Sequence, residues 1–262
     1  MSRPARSRAG AALAAAGTTA TALAAGRALV HPALARINHA GRPVSLSEGP
    51  AVVLGVLAGT TDCPGARRAL LGAALSGAVD DHLPARRSRS RAPAEEPKGL
   101  TGHLGRLRRG EVTAGTAKLA GLVATGVLAG DDLAAVVLVA GCANLANLLD
   151  LRPGRALKAV ALASAVLLLT DRRDALPAVL LGASLAALPP DLRGRTMLGD
   201  TGANALGAVL GAGLAHRLTG RTRWLTVAGV TAATLLSEKV SFTDLIARTS
   251  ALRALDGWGR SP

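Results

Sequence analysis

Long apolar runs separated by arginine-rich connectors dominate this 262-residue sequence. Runs such as 119–130 and 133–149 are apolar on every side of a helix rather than along one stripe, which is typical of helices in apolar surroundings. The sequence therefore predicts an all-α, polytopic integral membrane protein with about nine transmembrane helices. The predicted helices are 10–30, 49–61, 67–79, 112–130, 133–149, 156–170, 175–190, 201–216 and 224–236. A soluble bundle rich in Ala and Leu is the alternative, since several runs are shorter than the ~20 residues of a membrane-spanning helix.

Composition excludes several other classes of protein. With 49% apolar residues, the chain is unlike a disordered basic protein. It has a net charge of +14 but only three aromatic residues (Trp224, Phe242 and Trp258) and no base-reading motif, which disfavours nucleic-acid binding. Cys63 and Cys142 are too few and too far apart for a disulfide framework or a metal site of the usual spacing.

Basic residues are shared unevenly between two sets of connectors. One set holds 18 of the 31 Lys and Arg residues and consists of 31–48, 82–111, 150–155, 191–200 and the tail from 237. The opposite connectors hold 10, so the positive-inside rule places the first set in the cytoplasm. We therefore predict a single domain over 1–262 in the cytoplasmic membrane, with a basic cytoplasmic loop at about 82–111 and a cytoplasmic tail at about 237–262. The first run is interpreted as a retained helix rather than a cleaved signal peptide.

Polar clusters stand at the ends of four predicted segments. They are Asp80–Asp81, the set Asn144, Asn147 and Asp150, the turn around Asp200, and the loop 36–43 with Asn38 and Arg42. An even number of predicted helices separates each cluster from the next, which predicts all four at one membrane face, the cytoplasmic one. Carboxylates beside basic groups suit a phosphate compound with Mg²⁺. Each cluster taken singly is equally consistent with helix caps at a water interface.

Four motifs occur in a recognisable order. They are Gly-x-x-Asp-Asp at 77–81, Lys-Gly-Leu at 98–100, Asn-x-x-Asn-Leu-x-Asp at 144–150 and Met-x-Gly-Asp-Thr-Gly at 197–202. Together they resemble the polyprenyl-phosphate N-acetylhexosamine-1-phosphate transferases of glycosyltransferase family 4, which include the phospho-MurNAc-pentapeptide translocase and WecA-like enzymes. The resemblance extends from about residue 36 to residue 207.

The resemblance implies Mg²⁺-dependent transfer of a sugar 1-phosphate from a UDP-sugar to a polyprenyl phosphate such as undecaprenyl phosphate. The donor would be of the UDP-GlcNAc or UDP-MurNAc type, UMP would be released, and the product would serve peptidoglycan or other cell-envelope synthesis. Catalytic roles are implied for Asp80 and Asp81, and a Mg²⁺-ligand role for Asp200. We predict substrate-binding roles for Asn38, Arg42, Lys98, His103, Lys118, Asn144, Asn147, Asp150 and Arg155. The family also suggests a homodimer.

Two departures from the family pattern keep alternatives open. Pro153 stands where the translocase pattern has a second Asp, and the segment 237–242 replaces a His-rich loop. These changes favour a catalytically inactive member that binds a lipid phosphate or serves as an envelope-assembly scaffold. An unrelated transporter is a third alternative, but it would carry its ionisable residues near the middle of the membrane rather than at helix ends. For Lys118, a side chain directed towards lipid headgroups is the alternative to phosphate binding.

Overall fold

The computed structural model describes residues 7–28, 34–38, 41–60, 62–82, 114–170 and 174–260, and most of these residues are helical. The helices in these ranges are α1 (Arg8–Ala28), α2 (Glu48–Gly59), α3 (Pro64–His82), α4 (Ala114–Ala129), α5 (Leu133–Leu149), α6 (Arg155–Thr170), α7 (Leu176–Leu192), α8 (Gly199–Arg217), α9 (Gly220–Ser237), α10 (Phe242–Arg248) and α11 (Ser250–Gly257). Strands β1 (Ala35–Ile37) and β2 (Pro43–Ser45) form an antiparallel hairpin. The all-α prediction is confirmed.

Nine of these helices, α1 to α9, correspond to the nine predicted runs, but two boundaries differ at functionally important places. α3 continues to His82, so Asp80 and Asp81 lie in its last turn. α8 begins at Gly199, so Asp200 lies in its first turn. The hairpin and the short tail helices α10 and α11 were not predicted, because three-residue strands and single-turn helices leave almost no periodic pattern in a sequence.

The centre of the bundle is α8, which packs mainly against α5 and α3, with α2 on another side. A Cβ on Gly207 would overlap the carbonyl oxygen of Cys142, and one on Gly211 would overlap that of Leu138. The backbones of α5 and α8 are therefore in direct contact along this line of small residues. This close approach explains how a chain with three aromatic residues fills its interior, since the gaps between helices are narrow enough for Ala and Gly.

The helices of the bundle differ in whether they are long enough to cross a membrane. Among the described residues, one helix is long and apolar enough to cross a bilayer, over Arg8–Gly26 in α1, with a mean hydropathy of 1.2. Helices α3 to α8 have 16 to 19 residues. At 1.5 Å per residue they span about 24–28 Å, slightly less than a hydrocarbon core of about 30 Å. The structure therefore shows an all-α bundle with one helix of full spanning length, and the nine-span topology stays a prediction.

The ends of the bundle carry different charge patterns. We call the end where α3 finishes and α8 starts the site end, and the opposite end the far end. The far end has a cavity of about 810 Å³ where Arg223 lies 2.7 Å from Asp132 and Arg217 lies 3.5 Å from Asp174. The backbone N–H of Ala135 and the Arg223 guanidinium hold the pKa of Asp132 below its ordinary value. Asp132 and Asp174 are thus each paired with an arginine of the protein.

Candidate active site

Gly77 allows α3 and α8 to meet at the site end. A Cβ on Gly77 would overlap the backbone carbonyl of Asp200, so this position requires glycine for the two helices to approach. Asp81 follows one turn later on the same face of α3 and reaches the start of α8. The Gly-x-x-Asp-Asp spacing thus has a direct structural reason: the glycine permits contact with α8 and the second aspartate binds its first turn.

Asp81 caps the N-terminus of α8. Its carboxylate accepts the backbone N–H of Asp200 at 3.1 Å, the backbone N–H of Thr201 at 2.9 Å and the Thr201 hydroxyl at 2.6 Å. Gly199, the first residue of α8, has a φ of +61°, a left-handed conformation that favours glycine. The Arg36 guanidinium donates to the Asp81 backbone carbonyl and joins the hairpin to this corner. Asp81 therefore holds Asp200 in place, while its predicted catalytic role stays a prediction.

Lys118 of α4 lies between two carboxylates. Its Nζ is 2.7 Å from Oδ2 of Asp200 and 3.7 Å from Oδ2 of Asp80. Oδ2 of Asp80 is buried and has no hydrogen-bond partner among the described residues. The three carboxylates Asp80, Asp81 and Asp200 thus lie beside two basic side chains, Lys118 and Arg36.

The carboxylates of Asp80 and Asp200 are the groups that could hold a Mg²⁺ ion, since both approach one cation, the Lys118 ammonium. Oδ2 of Asp80 accepts no hydrogen bond among the described residues and lies 3.7 Å from Lys118, so it could serve as an oxygen ligand. No group of three or more His, Cys, Asp or Glu side chains suited to a metal occurs within the described ranges. The protein would thus contribute two carboxylates and leave the remaining ligand positions to phosphates and water, as is usual for Mg²⁺.

The end of α5 borders the same corner. Asn147 and Asp150 line a cavity of about 230 Å³ together with Arg36, Asp81 and Asp200. Burial and the charge of Asp191 raise the pKa of Asp150 well above its ordinary value of 3.8. Since Arg36 belongs to the loop 36–43, residues from all four predicted polar clusters surround one space.

A second cavity, of about 250 Å³, adjoins the first through Asp150. It is lined by Asn38 and Arg42 of the hairpin and by three arginines outside it, Arg152, Arg193 and Arg260. The hairpin is fixed here because Ser45 exchanges backbone hydrogen bonds with the loop before α8, its N–H donating to Arg195 and its carbonyl accepting from Met197, at 3.1 and 3.0 Å. The loop 36–43 that the sequence singled out thus joins the other three clusters.

Other predicted site residues lie elsewhere. The Arg155 guanidinium donates to both carboxylate oxygens of Asp256, at 2.8 and 3.0 Å, and to Thr243 at 3.0 Å, so its partners belong to the C-terminal tail. Asn144 lies one turn before Asn147 on α5 and does not line either cavity. Lys98 and His103 lie outside the described residues.

Sequence reasoning missed several residues of these cavities. Arg36 belonged to the predicted loop cluster but was given no site role, Arg193 and Arg260 were counted only as basic residues of connectors, and Asp191 was not singled out. The available signal was that Arg36 and Arg193 fall in connectors assigned to the same membrane face as Asp200. No local pattern pointed to Arg260, which reaches the cavity from the end of the chain.

The fold and the site define an all-α bundle protein with a carboxylate corner and an adjacent arginine-lined cavity at one end. No protein-family model, curated protein or solved structure matches this chain. An assignment of function therefore depends on the motifs and on the arrangement of their side chains.

Proposed function

We propose that this chain is an integral-membrane transferase that moves a sugar 1-phosphate from a UDP-sugar to a polyprenyl phosphate at the cytoplasmic face and releases UMP. The observation that carries the proposal is the convergence of Asp80 and Asp200 on one cation, Lys118. These carboxylates come from two different motifs of the family that the sequence resembles. Because these two aspartates lie close together in the fold, the motifs can contribute to a single site, which their spacing in the sequence does not show by itself.

The reaction needs positioning and neutralisation of charge more than acid–base chemistry. A phosphate oxygen of the lipid attacks the sugar-bearing phosphorus of the donor, and the bond from that phosphorus to the bridging oxygen of UMP breaks. In this scheme Asp80 orients the lipid phosphate or accepts its proton, and Lys118 neutralises phosphate charge. A bound Mg²⁺ would supply further neutralisation of the diphosphate. Asn147 and Asp150, which line the adjoining cavity, would contact the nucleotide side of the donor.

The outer surface supports a membrane setting. Large apolar side chains point away from the bundle on several helices, with Leu75 on α3 69% exposed, Val127 on α4 62% and Leu169 on α6 84%. Exposed apolar side chains of this size on several helices are normal for a surface that faces lipid. A site at a helix end, at the level of the headgroups, is where the phosphate of a polyprenyl lipid would lie.

A second candidate function is binding of a lipid phosphate without transfer. It is favoured by Asp81, whose carboxylate is already engaged by Asp200 and Thr201, and by Pro153, which stands at the position of a family aspartate. A protein of this kind would hold polyprenyl phosphate for a partner in envelope assembly.

The deciding experiment uses the purified full-length chain in detergent with Mg²⁺, undecaprenyl phosphate and labelled UDP-GlcNAc or UDP-MurNAc-pentapeptide. We expect UMP and a lipid-linked sugar to form together. Asp200→Asn should abolish both products, whereas Asp244→Asn, which removes the same charge from an exposed position in the tail, should leave them unchanged. Binding of the lipid phosphate without UMP from either donor would reject the transferase in favour of the second function.

A further inference from the structure

Four arginines from four separate segments face the 250 Å³ cavity. They are Arg42 in the hairpin, Arg152 between α5 and α6, Arg193 between α7 and α8, and Arg260 after α11. Asp150 and Asp191 are the acidic side chains of the same lining, so arginines outnumber carboxylates by two to one. One Asp191 oxygen is already engaged, since Oδ2 accepts the backbone N–H of Gly154 at 2.9 Å.

Three of these arginines are not neutralised by the described part of the protein. Arg42, Arg152 and Arg193 make no ion pair with any carboxylate in the described ranges. At the far end of the bundle, by contrast, Arg217 and Arg223 each contact an aspartate. All three are exposed and therefore accessible to a ligand from solvent, and arginine is suited to phosphate because it donates two parallel hydrogen bonds.

The fourth arginine is carried to the cavity by the C-terminal tail. Arg260 donates to Oδ1 of Asp256 at 2.9 Å and to the Pro153 carbonyl at 3.2 Å. Arg155 also donates to Asp256, to Oδ1 at 2.8 Å and to Oδ2 at 3.0 Å. Lys158 donates to three carbonyl oxygens at the end of α11, with its shortest bond, 2.6 Å, to Trp258. The tail is thus clamped to the start of α6, with Arg260 directed towards the cavity.

We propose that this cavity binds a phosphate-bearing ligand, with Arg42, Arg152 and Arg193 as binding residues and Asp256 as the positioning residue that places Arg260. The identity of the ligand rests on the proposed function, under which two kinds of phosphate group could occupy the cavity. One is the diphosphate of the donor nucleotide, and the other is the headgroup of an anionic lipid. The C-terminal tail is then a component of the binding site rather than an appendage of the bundle.

The first test measures binding to the full-length chain in a neutral detergent without Mg²⁺, by isothermal titration of UDP and of inorganic pyrophosphate. A parallel arm compares nanodiscs of phosphatidylcholine with and without phosphatidylglycerol. Arg193→Gln should weaken binding about tenfold, the effect of losing one charge-assisted hydrogen bond of typical strength. Arg248→Gln removes the same charge from an exposed tail position outside the cavity and is the matched control.

Each outcome of this test has a defined meaning. Binding of UDP or pyrophosphate that depends on Arg193 supports the nucleotide source. Inhibition of that binding by phosphatidylglycerol, or Arg193-dependent retention of the lipid alone, supports the headgroup source. The proposal is overturned when no probe binds, or when Arg193→Gln and Arg248→Gln weaken binding equally.

Asp256→Asn tests the role of the tail, because the lost charge of Asp256 and the changed position of Arg260 predict opposite changes in anion binding. Asp256→Asn removes a negative charge near the cavity, which by charge alone would strengthen anion binding. Loss of the Asp256 contact releases Arg260, which should instead weaken binding to the level of Arg260→Gln. Asp244→Asn serves as the control for charge in the tail. Stronger binding by Asp256→Asn would overturn the positioning role.

These measurements are independent of turnover. If the chain binds UDP through Arg193 but forms no UMP, the proposed transferase function is rejected and the proposed anion site is kept. If Arg193→Gln transfers sugar phosphate at the normal rate and donor affinity, the proposed function is kept and the nucleotide source is rejected; equal lipid retention by Arg193→Gln and Arg248→Gln in the nanodisc arm then rejects the site.

Discussion

Thr201, in the first turn of α8, donates both its backbone N–H and its hydroxyl to the same carboxylate oxygen of Asp81, at 2.9 and 2.6 Å. These hydrogen bonds join the last turn of α3 to the first turn of α8, although the two turns are far apart in the sequence. Asp200 lies between these contacts and is held facing Lys118. The geometry of the carboxylate corner therefore depends on Asp81, whose carboxylate oxygens accept hydrogen bonds from the first turn of α8.

Removal of this cap should destabilise the bundle. Asp81→Ala leaves the Asp200 and Thr201 N–H groups without their acceptor, and we expect a loss of about 1 kcal/mol, typical of an N-cap. Thermal unfolding in detergent measures it, alone and in combination with Thr201→Val. The two substitutions should be coupled, because both remove the same contact, so strictly additive effects would contradict the capping role.

Lys118 should compete with divalent cations. Lys118→Met leaves Asp80 and Asp200 facing each other without a neutralising charge, so the variant should be less stable than the natural chain in EDTA. Added Mg²⁺ should raise its melting temperature more than that of the natural chain. Lys239→Met removes an equal charge from an exposed position in the tail and should show neither effect. A melting temperature of Lys118→Met that ignores Mg²⁺ would argue against a metal site between these carboxylates.

Close packing of α5 and α8 predicts different effects for two glycines. Gly211→Ala places a methyl group against the Leu138 carbonyl and should cost about 1–3 kcal/mol by forcing the helices apart. Gly229→Ala on the exposed side of α9 meets nothing within 4 Å and should raise stability by up to about 1 kcal/mol through helix propensity. Parallel thermal unfolding curves test this contrast. Equal effects at the two positions would contradict the direct contact between the helices.

The docked tail should resist moderate acid. Although burial favours the neutral form, hydrogen bonds from Arg155 and Arg260 outweigh it and hold the pKa of Asp256 below its ordinary value of 3.8. A lowered folded-state pKa means that this stabilisation is complete above pH 3.8 and is lost as the pH falls below it. Fluorescence anisotropy of Trp258, in a Trp224→Phe background, should therefore stay constant from pH 7 to about pH 4 and then decrease. Asp256→Asn should show the lower anisotropy already at pH 7, and a transition above pH 5 would contradict the assignment.

Asp150 should have the opposite effect on stability. Its pKa is raised by burial and by Asp191, so the ionised form is disfavoured in the folded protein at neutral pH. Asp150→Asn should therefore raise the melting temperature at pH 7, and the difference should vanish as the pH falls below 3.8, where the folded and unfolded carboxyl groups are both protonated. Asp244→Asn is the control. A destabilised Asp150→Asn at pH 7 would show that its charge is satisfied by a partner.

Much of the fold was predictable because the apolar runs are long and interrupted by charge. Each predicted run became one of α1 to α9, and their alternating direction brought the aspartates of successive motifs to the same end of the bundle. Charged caps also occur at the far end, so the presence of acidic residues at helix ends does not distinguish a site. Convergence distinguishes it: the far-end aspartates Asp132 and Asp174 each pair with a separate arginine, whereas Asp80 and Asp200 share one lysine, Lys118.

By itself the sequence determined the all-α class and the order of the helices, and it predicted that the four polar clusters meet at one end, since apolar periodicity and motif order are local properties of a chain. Only the tertiary structure decided which side chains neutralise one another. It paired Arg155 with Asp256 instead of leaving it open to substrate, made Asp81 the cap of α8, and assembled Arg42, Arg193 and Arg260 around one cavity. Such pairings depend on distances of a few ångströms between segments far apart in sequence, and those distances are set by how closely glycine and alanine allow the helices to pack.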